Sequence, residues 1–139
     1  MAATKHLDHL HQVPLFSSCS RKELAKIARA TDEVQVEAGT TLMEQGRLGR
    51  EAFVIVSGTA SVRIGDREVA ELGPGQHVGE LALLDGGPRT ATVVATSDME
   101  LLVISQRAFV ALLEDVPELA RKLLTSMAKM VRSLNDQAW

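Results

Sequence analysis

A chain of 139 residues fits one domain, and a domain of that size buries roughly two-thirds of its unfolded surface without any covalent staple. With a net charge of −3, 45% hydrophobic and 24% charged residues, it has the profile of a soluble globular protein, and bulk charge gives no reason to expect nucleic acid as a partner. The longest apolar runs, "AFVIV" and "LLVI", are far short of the ~20 residues that cross a bilayer, and "MAATKHLDHL" lacks an apolar signal core, so a cytoplasmic protein without membrane contact is expected.

In chain order, residues 4–12 read as a short polar helix carrying His6, His9 and His11 as solvated side chains. Cys19 is the only cysteine, which excludes an intrachain disulfide and a thiolate metal cluster. "SRKELAKIARA" opens with Ser20 and Glu23 at capping-box spacing and places Leu24, Ile27 and Ala28 on one helical face. From Glu33 to Ile104 the pattern changes to short β-rich runs: "EVQV", "TTLM", "AFVIV", "ASVRI", "EVAEL", "TATVVA" and "ELLVI". "RIGDRE" reads as a tight hairpin and "GPGQHVG" as a turn, and this regular spacing predicts a β-sandwich or β-roll. The helical period returns in "QRAFVALLEDV". Pro117 then starts a last helix, where Leu119, Leu123, Met127, Met130 and Leu134 form one stripe. The expected organisation is a single domain over 1–139, with N-terminal helices in 1–32, the β region in 33–104 and C-terminal helices in 105–139.

One segment fits neither pattern. In "GELALLDGGPRTATV", Glu80 to Leu84 is too apolar for a loop and does not alternate, so it reads as one helical turn. The turn opens after Gly79, where a backbone without a side chain can approach a ligand, and stops at "DGGP". The first N–H groups of such a turn form an anion site, to which Arg89 adds a planar fork of donors and Thr90 a hydroxyl. Glu80 accepts hydrogen bonds and donates none, so beside a phosphate it needs a partner with hydroxyl donors. Either Glu80 and Arg89 neutralise each other, or they hold a ligand that offers a hydroxyl and a singly charged phosphate close together. A 3′,5′-cyclic ribonucleotide is such a ligand.

"GELALLDGGPRTATV" also resembles the phosphate-binding cassette of cyclic nucleotide-binding domains, the modules of kinase regulatory subunits, nucleotide-gated channels and the bacterial catabolite activator. "HLHQVPLFSSCSRKELAKIA", "AGTTLMEQGRLGREAFVIVSGTASV" and "VAELGPGQHVGE" extend the likeness over nearly the whole chain. The resemblance implies an α+β fold, an eight-stranded antiparallel β-roll (jelly-roll-like) flanked by N- and C-terminal helices. It implies a cassette at 79–91 in which Glu80 and Gly79 meet the ribose, and Arg89, Thr90, Ala91, Leu81 and Ala82 meet the phosphate. Val62 stands where the family lines the base, and Met127 or Met130 is expected to face the base from a lid helix over 117–137. Val78 departs from the family, which commonly has an aromatic before the Gly-Glu pair.

The implied function is a non-catalytic sensor for cAMP or cGMP, with no other cofactor, that moves its terminal helices on binding. Its partners are then the nucleotide and either a second copy through those helices or an effector in trans, with no nucleic acid bound by this chain. Two other readings remain: a degenerate scaffold that binds proteins without ligand, and a β-roll metal enzyme, for which the strands lack the His ligands, so no metal is expected. Trp139 is either a base-stacking residue or simply tail.

Overall fold

The computed structural model describes residues 6–138. The expectations for Trp139 and for the first residues of the N-terminal helix lie outside these. Helix α1 (Leu7–His11) leads through a 3-10 turn (Pro14–Phe16) into α2 (Arg21–Arg29), and the strands follow: β1 (Asp32–Val36), β2 (Thr41–Met43), β3 (Glu51–Ser57), β4 (Ala60–Ile64), β5 (Arg67–Leu72) and β6 (His77–Val78). A single helical turn α3 (Ala82–Asp85), strands β7 (Thr92–Ala95) and β8 (Met99–Ser105), and helices α4 (Gln106–Asp115) and α5 (Pro117–Ala138) complete the chain.

The strands form two antiparallel four-stranded sheets, ordered β1-β8-β3-β6 and β2-β7-β4-β5. This is the eight-stranded roll expected from the sequence, with helices at both ends. The eighth strand is β6, inside a segment read as a turn. The turn is there, around Gly75 at φ +86, but His77 and Val78 then pair with Val54 and Phe53. Two residues are too few to show a period, so only the neighbouring strand reveals them.

The uninterrupted apolar runs of β3 and β8 have a physical reason: their sheet is covered on both faces. Ala52 pairs with Ile104 and Val54 with Leu102, and this face packs against Leu10, Phe16, Ile27, Phe109 and Leu119 of the helices. The alternate residues Phe53, Ile55, Leu101 and Val103 face the second sheet and meet Met43, Val93 and Ala95. One sheet thus serves two cores, which links the helices mechanically to the interior of the roll.

The N-terminus of α2 carries the expected capping box. The Glu23 N–H donates to Ser20 Oγ at 3.2 Å and the Ser20 N–H to Glu23 Oε1 at 2.8 Å. Glu23 also receives Lys122 Nζ of α5 at 2.7 Å. The histidines depart from expectation: His11 is exposed, but His6 is buried and His9 half-buried, because α1 packs against α2 and β3 instead of standing free in solvent.

Candidate functional site

The 79–91 segment is anchored by backbone hydrogen bonds to the loop between β2 and β3. The Arg89 N–H donates to the Arg47 carbonyl at 2.7 Å, the Gly46 N–H to the Arg89 carbonyl at 2.9 Å, and the Gly49 N–H to the Gly87 carbonyl at 3.2 Å. Asp85 Oδ1 accepts from the Gly87 N–H at 2.8 Å, and Gly86 ends α3 in the left-handed region at φ 62. The expected "DGGP" stop is therefore present, and it turns the chain so that Arg89 points back beneath the turn that precedes it.

Gly79 sits at φ +85, and a Cβ there would lie 2.7 Å from Arg89 Nη1 and 3.0 Å from the Glu51 carbonyl. Glycine is thus favoured here by the positive φ and by the close approach of the guanidinium from within the protein. Gly49 plays the same part from the other side, since a Cβ there would overlap the guanidinium of Arg89. Gly49 is not legible in the sequence as part of the site; its tight spacing in "GRLGRE" is the available signal.

Arg89 is buried, at 9% exposure, and its guanidinium lies 5.9 Å over the Phe53 ring, within cation–π range. Burial lowers its pKa from the ordinary value, an effect the Glu51 carboxylate partly opposes. Nη1 has no hydrogen-bond partner. A guanidinium stays protonated at any physiological pH, so this is a positive charge with an unsatisfied donor.

Glu80 does not neutralise it. Its carboxylate lies 3.2 Å from Nδ1 of His77, three residues earlier, with both side chains mostly buried. Burial pushes the Glu80 carboxyl up, but His77 and the residue's own N–H more than offset this and leave it below its usual value, so it is an acceptor at neutral pH. His77 was not singled out from the sequence for this role, because the two-residue strand that aims it was invisible there.

A cavity of about 460 Å³ opens between these charges, and its lining includes Val62, Gly79, Glu80, Leu81, Ala82, Arg89, Thr90 and Ala91. All eight were expected at the site. Met43, Ile64 and His77 join them. Leu81 and Ile64 leave 58% and 49% of their surface exposed, giving the cavity an apolar rim. Two of the expected contacts are not made in this structure. The Ala82 N–H already donates to the Gly79 carbonyl at 3.1 Å and is not an open anion donor. Met127 and Met130 are not brought to the cavity; they pack with Leu119 and Leu123 against the helical core. Their stripe is used up against the 3-10 turn, where Ser126 Oγ lies 3.4 and 3.3 Å from the hydroxyls of Ser17 and Ser18.

Comparison with known proteins gives this geometry a family. The model of the cyclic nucleotide-binding domain matches residues 33–116, more than half of the chain. A cAMP-dependent protein kinase regulatory subunit from Aspergillus fumigatus is 39% identical over 115 residues, covering 81% of this chain but only 28% of its own length. The N-terminal domain of a transcriptional regulator from Streptomyces coelicolor superposes with a TM-score of 0.87 at 31% identity, covering 95% of this chain and 96% of its own. The regulatory domain of Toxoplasma gondii PKA, solved with cAMP, gives a TM-score of 0.71 at 34% identity over 81% of this chain and 45% of its own. With the eight-stranded roll and these matches in agreement, the chain belongs to the cyclic nucleotide-binding domain family.

Proposed function

We propose that the domain senses cAMP. The cyclic phosphate sits on Arg89, with Thr90 and Ala91 beside it, and the ribose 2′-OH donates to Glu80. The base rests on the apolar rim formed by Val62, Ile64 and Leu81. The observation that carries this reading is that Arg89, buried with a protonated guanidinium whose Nη1 has no partner among the described residues, lines the same cavity as Glu80, whose carboxyl His77 helps hold below its usual pKa. Desolvating a guanidinium without a partner is costly, and a singly charged phosphate removes that cost while leaving one hydroxyl for the carboxylate. The relatives named for cAMP favour adenine over guanine. No bond is made or broken in this scheme, and the domain works by binding alone.

The output is a population shift: nucleotide orders 79–91, and the 117–137 segment leaves its seat on the 3-10 turn to cover the base. The readers of that motion are a second copy through the terminal helices or an effector in trans, in the cytoplasm. Among the described residues no helix is long and apolar enough to cross a membrane. Calorimetric titration of nucleotide-free protein with cAMP and cGMP, with AMP as control, tests the reading. Saturable binding of cAMP, weaker binding of cGMP and none of AMP are expected. Silence from both cyclic nucleotides in folded protein would leave the ligand-free scaffold as the better description.

A further inference from the structure

His6, Glu33 and Glu100 converge on the far side of the roll from the nucleotide cavity. Register explains why. Glu33 of β1 pairs with Leu102 and Gln35 with Glu100, so Glu33 and Glu100 are diagonal neighbours on the helix-covered face, and α1 lays His6 over them. His6 is 3% exposed, and its Nε2 faces Glu33 Oε1 at 3.5 Å without a hydrogen bond to any group among the described residues. Among the described residues neither carboxylate is paired with a lysine or arginine. A buried imidazole nitrogen aimed at two uncompensated carboxylates is an arrangement that a cation resolves.

We infer that His6, Glu33 and Glu100 form a site for a divalent transition metal of the zinc type. One ligand atom from each lies within 4.8 Å of the others. Zinc holds its nitrogen and oxygen ligands about 2.0–2.2 Å away, which puts tetrahedral neighbours about 3.4 Å apart. The His6–Glu33 separation of 3.5 Å is close to that value, and Glu100, half-buried and within 4.8 Å, is the third ligand the site would draw in. The two carboxylates balance the dication, the neutral imidazole supplies the borderline donor, and water takes the fourth position. Bound metal ties α1 to the β1–β8 pair, clamping the N-terminal helical segment to the roll.

The test is zinc chloride added to the metal-free 139-residue chain, with stoichiometry read by elemental analysis after dialysis and affinity by calorimetry. One zinc per chain and a rise in the thermal midpoint are expected. His6→Ala and Glu33→Gln are each expected to weaken binding about tenfold or more, while His11→Ala, on the exposed face of α1, leaves it unchanged. Should His6→Ala fail to fold, the exposed Glu33→Gln decides alone. Absence of saturable zinc binding by the wild-type chain, or binding that Glu33→Gln leaves intact, overturns the site.

Discussion

A guanidinium taken out of water is destabilising unless its donors are satisfied, so the position of Arg89 asks what holds it there. Phe53 beneath it and the Glu51 field are partial compensation, and two glycines clear its path. Gly49→Ala puts a methyl group into the guanidinium. Overpacking of this kind costs about 1–3 kcal/mol of stability, and displacement of the fork is expected to lower cAMP affinity more than tenfold, read by thermal unfolding and calorimetry on the same sample. Unchanged affinity would show that Gly49 does not set the position of the fork. At Glu80 the expected effect is one of discrimination. A hydrogen bond to a charged group is worth about 1.5–3 kcal/mol, so Glu80→Gln should weaken cAMP by less than that and bring cAMP and 2′-deoxy-cAMP toward equal affinity. A preserved preference for the ribo form would remove Glu80 from the ribose.

Among the elements, the last helix makes the sharpest contrast between sequence and structure. The spacing of Leu119, Leu123, Met127, Met130 and Leu134 predicts one apolar stripe; the first four pack into the helical core while Leu134 stays exposed, because periodicity does not say what a stripe covers. Here it covers the 3-10 turn and α2, secured by the Lys122–Glu23 pair and the Ser126 hydroxyl. The capping box of α2 and the αL stop at Gly86 were legible because each is set within a few residues. The pairing of His77 with Glu80 and the placing of Gly49 beneath Arg89 were not, because strand pairing and a loop contact across 40 residues create them. If the helix leaves its seat on binding, amide exchange across 117–137 should change with saturating cAMP while exchange across 79–91 slows. Exchange in the helix that is the same with and without nucleotide would count against the coupling.

For the molecule as a whole, the two-faced β3–β8 pair lies between the cavity and the helices. Its one face carries Phe53, which supports Arg89, and its other face carries Val54 and Leu102, on which the helices rest. The fold class was readable because such doubly buried strands stand out as continuous apolar runs between turn residues. The cassette was readable because a carboxylate, a guanidinium and a glycine-rich stop lie within fifteen residues. On the reading proposed above, the cyclic phosphate binds the Arg89 guanidinium, whose Nη1 has no partner among the described residues. The most direct test of that reading is calorimetric titration with cAMP of the wild-type chain and of Arg89→Ala, with thermal unfolding confirming that both are folded. Loss of about 2–5 kcal/mol in binding free energy is expected, the usual range when one partner of a buried charge pair is truncated. Equal affinity in the two proteins would contradict the account.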